Sequence, residues 1–204
     1  MFITFEGIDG SGKSTQARFL AERLRADGRE VVQTKEPGGC DICVPLRGMV
    51  ISGALRHPWS EPYLFMLDRA EHVANVIEPA LANGADVICE RYHDSTLAYQ
   101  VWGRGLPLHI FDELFQLSRF PTPDLTVFFD LPVDEALARV SKRGAADAFE
   151  KEGAAFMSRI RSGYLELCRR DAERWLTIDV SDADENGVFG RLLKALDERG
   201  VFSG

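Results

Sequence analysis

Apolar and polar positions follow two rhythms along this chain, a short continuous one and a helical one, and they alternate from end to end. Phe2-Ile3-Thr4-Phe5 is a short β-type run. Residues 14–26 carry Ala17, Leu20, Ala21 and Leu24 on one stripe and stop at Asp27-Gly28, which predicts an amphipathic helix. A second strand is expected over 30–34. One long helix is expected over 62–82, with Met66, Ala70, Val73 and Ile77 inward and a kink or restart at Pro79. Residues 86–89 read as a fully buried strand. Helices follow over 95–102 and 108–118, and a strand over 125–129. The helix predicted for 133–142 has Asp134 and Glu135 near its start, where the helix dipole favours acids. Phe156, Ile160, Tyr164 and Leu167 stripe a further helix. A last strand is expected over 175–178 and a last helix over 189–199. Five apolar strands separated by helices predict an α/β fold: a five-stranded parallel sheet with helices on both faces, one domain over 1–204. The weakly patterned segment at about 143–153 reads equally as a solvated connector or a mobile flap.

Composition narrows the partners. The 204 residues fit one domain. Lys and Arg number 24 and Asp and Glu 32, a formal net charge of −8. That balance lacks the broad basic field of a nucleic-acid binder, so an anionic ligand needs a local cradle. Apolar runs such as Asp86-Val87-Ile88-Cys89 are far too short for a bilayer, and Met1-Phe2-Ile3-Thr4-Phe5-Glu6 carries no basic signal region. A cytoplasmic protein with neither membrane nor nucleic-acid partners is expected. Cys40 and Cys43 form C-x-x-C, with no second pair to complete a zinc site, behind the loop-like Glu36-Pro37-Gly38-Gly39. Two loop thiols of a reducing compartment are expected there. Cys89 and Cys168 are expected in the core.

The strongest chemical signal is Gly7-Ile8-Asp9-Gly10-Ser11-Gly12-Lys13-Ser14, which matches G-x-x-x-x-G-K-[ST] between a strand and a helix. The glycines let backbone N–H groups turn inward around phosphate oxygens, and the helix that follows points its positive end at the same anion. Gly7, Ile8, Asp9, Gly10, Ser11, Gly12, Lys13, Ser14 and Thr15 are therefore assigned to a nucleoside triphosphate. Lys13 would reach the β- and γ-phosphates and the Ser14 hydroxyl would ligate Mg²⁺.

A second group would receive the phosphate. Glu90-Arg91 ends the apolar strand, and ligands of open α/β sheets bind at the carboxyl ends of strands. A carboxylate there can hold Mg²⁺ and its water while a guanidinium clamps a phosphate; a structural ion pair would have the same spacing. Phe65 and Arg69 stand four residues apart on one helix, so a stacking face and a planar fork present together, as a nucleobase requires. A core phenylalanine beside a surface arginine would share that pattern.

Taken in order, these residues resemble the bacterial thymidylate kinases. The likeness covers the P-loop with Asp9, Glu36-Pro37-Gly38-Gly39, Leu46-Arg47, Phe65 with Arg69, and Glu90-Arg91-Tyr92. It continues through Asp94-Ser95-Thr96-Leu97-Ala98-Tyr99-Gln100, Gly103-Arg104-Gly105 and Pro123-Asp124-Leu125-Thr126. The resemblance implies a P-loop NTPase three-layer sandwich with a short lid at about 143–153. It also implies ATP- and Mg²⁺-dependent phosphorylation of dTMP to dTDP, and a homodimer. It places Asp9 on the deoxyribose 3′-hydroxyl and on Arg91, Phe65 on the thymine face, and Arg69 on a thymine carbonyl. Thr96 and Gln100 would reach the base edge, and Tyr99 would crowd C2′. Arg91 and Arg47 would bind the acceptor phosphate, with Glu36 in the same dTMP site. Ser14 and Glu90 would serve the metal. Lys13, Asp9, Glu90, Arg91 and Arg143 form the catalytic set. Two positions depart from the family pattern: Glu90 stands where Asp is usual, and Ala148 where the lid usually has arginine. Arg143, with Lys142, is the expected source of the missing charge. A deoxynucleoside kinase acting on a 5′-hydroxyl and a non-catalytic nucleotide-binding protein stay open from sequence.

Overall fold

The computed structural model describes residues 1–142, 149 and 152–202. β1 (Phe2–Glu6) is buried along its whole length, which its apolar residues favour and which its final residue, a carboxylate, does not. α1 (Lys13–Ala26) buries Ala17, Leu20, Ala21 and Leu24 as its stripe requires, and Gly28 at φ +83° closes it. β2 (Val31–Lys35), β3 (Asp86–Glu90), β4 (Leu125–Asp130) and β5 (Trp175–Asp179) complete a five-stranded, wholly parallel sheet in the order β2-β3-β1-β4-β5. After β3 returns beside β1, the chain crosses to the other side for β4. The carboxyl ends of β1 and β3 thus flank the point where the strand order reverses, which is where such sheets bind ligands.

Both faces of the sheet are covered. Ile3 and Phe5 pack with α1 in one cluster that also takes in α9 (Glu185–Glu198). Thr4 and Glu6 point the other way, toward Thr126, Ser95 and Tyr164. That second face carries α8 (Ala154–Arg170), α6 (Leu108–Ser118) and the segment between β3 and α6. α7 (Val133–Ser141) follows β4. Among the described residues no helix is long and apolar enough to cross a membrane.

Several local expectations fail. The single helix over 62–82 is α3 (Ser60–His72), a wide π turn at Val73–Ile77, and α4 (Glu78–Ala82). Pro79 has no N–H to give to the preceding turn, and it sits instead in the first turn of α4, where none is needed. The expected apolar stripe is also replaced in α3. Ala70 is exposed, and Asp68, Arg69 and His72 are buried. The helix over 95–102 is one α turn, α5 (His93–Thr96), followed by π winding over Leu97–Gly103. α2 (Cys43–Ile51) was not foreseen, because Val44 and Met49 are exposed beside a buried Val50, which leaves no clean amphipathic stripe. Cys40 and Cys43, expected as free loop thiols, are joined in a disulfide at the start of that helix. Cys89 is buried and Cys168 half-buried, both as thiols.

Candidate active site

The loop from β1 to α1 forms an anion cradle. Gly7 has φ +144°, and a Cβ there would lie 2.7 Å from the Phe129 carbonyl oxygen, so only glycine lets the chain turn this tightly. The first turn of α1 holds no acidic side chain, which leaves its N–H groups and positive end free for phosphate. Lys13 is buried and curls back, its Nζ donating to the Ile8 carbonyl at 2.9 Å. Burial, with the Arg91 charge nearby, lowers its pKa to about 8. Ser14 Oγ donates to Glu90 Oε2 at 2.6 Å, so the helix start and the end of β3 share one oxygen cluster.

Arg91 lies at the centre of the site. Its backbone adopts φ +65°, a conformation that costs an L-residue roughly 1–3 kcal/mol and is held by its surroundings. Nη2 donates to Asp9 Oδ1 at 2.6 Å and to the Tyr99 hydroxyl at 3.1 Å, and that hydroxyl donates to Asp9 Oδ2 at 3.2 Å. Nη1 donates to Ser95 Oγ at 3.1 Å and to the Tyr164 hydroxyl at 3.4 Å. Burial works against the Asp9 carboxylate, yet the Arg91 and Lys13 charges outweigh it and bring its pKa down to about 2. Beneath Arg91, buried Glu6 accepts from Ser95, Tyr164 and the Tyr92 N–H. Burial, and then Asp94, push its pKa up to about 7.

Beside Arg91 opens a cleft walled by Phe65 and Arg69 from α3, Arg47, Val50 and Ile51 from α2, Thr96, Tyr99, and Glu36-Pro37. Arg69 is fully buried. Its Nε donates to Glu36 Oε2 at 2.9 Å and its Nη2 to Thr96 Oγ1 at 3.0 Å, while Nη1 has no partner. Glu36 also meets His72 Nδ1 at 2.9 Å, so one carboxylate fixes the fork against the wall. A buried, pre-aimed donor with an unused N–H is suited to a carbonyl acceptor. Arg47 Nη1 donates to the Pro37 carbonyl at 3.0 Å.

With this geometry in hand, the chain can be set beside known proteins. The family profile described as thymidylate kinase matches residues 5–188. The thymidylate kinase of Pseudomonas fluorescens (strain Pf0-1) is 46% identical over 186 residues, covering 88% of this chain and 87% of that one. That of Caulobacter vibrioides is 43% identical over 190 residues, covering 92% and 91%. The crystal structure of thymidylate kinase from Ehrlichia chaffeensis superposes with a TM-score of 0.80 at 34% identity, over 97% of this chain and 98% of that one. The chain belongs to the thymidylate kinase family. Its members phosphorylate dTMP to dTDP with ATP, and the chain has the α/β P-loop fold of the family.

Most of the residues assigned to the thymidylate kinase reaction converge. Asp9, Glu36, Arg47, Phe65, Arg69, Arg91, Thr96 and Tyr99 all line the cleft. Gln100 does not. It is buried beside Glu61, to which its Nε2 donates at 3.2 Å, and its Oε1 has no partner. Arg143 and Ala148 lie outside the described residues, as does most of the expected lid. Of that segment, Phe149 lines the cleft, its ring 5.6 Å from that of Tyr99. Sequence reasoning missed Phe149, Glu6, Ser95 as an anchor, and the Tyr164 hydroxyl. A carboxylate ending an apolar strand was the available signal for Glu6. Tyr164 sat on a core stripe, which gave its ring but not its hydroxyl.

Proposed function

We propose that this chain transfers the γ-phosphoryl group of ATP directly, in line, to a phosphate oxygen of dTMP. The observation that carries the reading is the Arg91 bridge, which ties Asp9 of the phosphate cradle to the wall of the neighbouring cleft at 2.6 Å. An acceptor phosphate drawn to Arg91 and Arg47 lies beside the mouth of the cradle. The dTMP oxygen is already anionic, so no strong base is needed, and the chemistry reduces to positioning and charge neutralisation. Lys13 meets the donor phosphates. Phe65 supplies a stacking face for thymine, the free Arg69 Nη1 donates to a thymine carbonyl, and Tyr99 occupies the space a 2′-hydroxyl would need.

Ser14 and Glu90 are the residues suited to Mg²⁺. A hydroxyl and a carboxylate converging at 2.6 Å form a hard-oxygen pair of the kind that binds Mg²⁺ together with substrate phosphates. No cluster of three or more His, Cys, Asp or Glu among the described residues offers a metal site independent of the nucleotide. When bound, the ion would neutralise the charge that builds on the transferring group. We also read residues 143–153 as a lid that excludes water, with Arg143 supplying charge to the transferring phosphoryl group. The homodimer reading is supported by Val44, Met49, Tyr63 and Leu67, large apolar side chains left exposed on the packed pair α2 and α3.

Offering dTMP and thymidine separately with ATP and Mg²⁺ tests the reading. ADP should form with dTMP alone. ADP formation with thymidine instead would show a 5′-hydroxyl acceptor.

A further inference from the structure

We propose that Cys40 and Cys43 form a thiol–disulfide exchange site that sets the affinity for dTMP through α2. The proposal rests on the kinase reading above and adds a control point to its acceptor cleft. The two Cα atoms lie 5.0 Å apart, and the sulfurs are bonded. The Cys40 carbonyl also accepts the N–H groups of Cys43 and Val44, at 2.9 and 3.2 Å. The cross-link therefore closes the turn that leads into α2, the helix that brings Arg47, Val50 and Ile51 to the cleft.

The chain on either side of this turn is already clamped. Glu36 is tied to Arg69 and His72. Gly38 N–H donates to Asp68 Oδ1 at 2.8 Å, and Arg47 returns to the Pro37 carbonyl. Gly39 fits only because it lacks a side chain: a Cβ there would come 2.4 Å from His72 Nε2. With its ends held, the segment has little freedom except at the turn that the disulfide spans. Fixing or freeing that turn is felt at Arg47.

A reduced state has a ready place for its buried thiol. Cys43 Sγ lies 3.4 Å from the Asp68 carbonyl oxygen, which belongs to α3. In the disulfide this sulfur carries no hydrogen. As a thiol it donates to that carbonyl. Cys43 Sγ thus has two mutually exclusive partners, Cys40 on its own loop when oxidised and the Asp68 carbonyl of α3 when reduced. Cys40 is half-buried and Cys43 fully buried, so an incoming thiolate attacks Cys40 Sγ. A dithiol reductant forms a mixed disulfide with Cys40 while Cys43 departs as thiolate and takes a proton. The second thiol of the reductant then displaces Cys40 and closes the reductant's own disulfide. Two electrons and two protons pass to the cysteine pair.

The cross-linked form holds Arg47 pre-organised, so it should bind dTMP more tightly. The test uses the full chain, oxidised with a small disulfide or reduced with dithiothreitol, with free thiols counted after denaturation. Two are expected in the oxidised form, Cys89 and Cys168, and four in the reduced form. The dTMP KM should rise about fivefold on reduction, while the ATP KM and kcat stay within about twofold. A Cys40→Ser/Cys43→Ser variant should keep one dTMP KM under both treatments. Equal dTMP KM values in the two forms, four thiols after oxidation, or a shift that persists in the double variant would each overturn the exchange site while leaving the kinase reading intact. Absence of ADP formation with dTMP in both forms would overturn the kinase reading itself.

Discussion

The two halves of this site are built on opposite plans. The cradle we propose for the donor triphosphate is one contiguous run, residues 7–15, whose working groups are mostly backbone N–H groups that a strand, a tight turn and a helix start orient together. The acceptor cleft draws side chains from α2, α3, the loop after β2, the end of β3 and the π-wound segment, far apart in sequence. A contiguous backbone site depends on a few glycines and is insensitive to distant packing. A cleft assembled from several elements depends on buried ties such as Glu36–Arg69, and on Glu6 beneath Arg91, to keep its side chains aimed. Arg91 is where the two plans meet.

Removing that meeting point should have the largest effect. Arg91→Ala should lower kcat/KM for dTMP about 10³-fold, because it removes a charge used in the transition state from both halves at once. Steady-state kinetics at saturating Mg²⁺ will show it, and a loss confined to KM would separate the halves again. Next is Glu90→Gln, which should lower kcat about 10²-fold and raise the Mg²⁺ concentration needed for half-maximal rate. Glu90→Asp, which keeps the carboxylate one methylene shorter, should restore most of the loss if the carboxylate's role is metal binding. In the cleft alone, Phe65→Ala should raise the dTMP KM about tenfold and leave kcat and the ATP KM within about twofold, the pattern of a lost stacking face.

The smallest effect belongs to the cradle and is read from pH. The Lys13 pKa is lowered to about 8, so the free enzyme loses this positive charge as pH rises through that value. Bound phosphates favour the ammonium and hold its proton. The kcat/KM for ATP should therefore fall across pH 8 while kcat stays flat, since the two report free and bound enzyme respectively. A kcat that falls at the same pH would show that the amine is not in contact with phosphate in the complex.

The same contrast decided what could be read from sequence. The strands, α1 and the P-loop follow from local patterns that their own residues settle. Phe65 and Arg69 could be paired because four residues make one helical turn. The Glu36–Arg69–Thr96 wall and the anchors of Arg91 arise only when distant elements are brought together, and no periodicity encodes that. The polar buried face of α3 is the sharpest case: Asp68, Arg69 and His72 look solvated in sequence, and burial is supported by partners on other segments. Pro79 was correctly read as a break, but its consequence, a widened turn one residue-pair upstream, depends on how the helix packs.

The central claim is that donor and acceptor phosphates meet directly across Arg91. Transfer from ATP made chiral at the γ-phosphorus with sulfur and oxygen isotopes tests it in one step. A single in-line displacement inverts the configuration in the thio-dTDP product. Retention would require an intermediate carried by the protein, and would contradict the account.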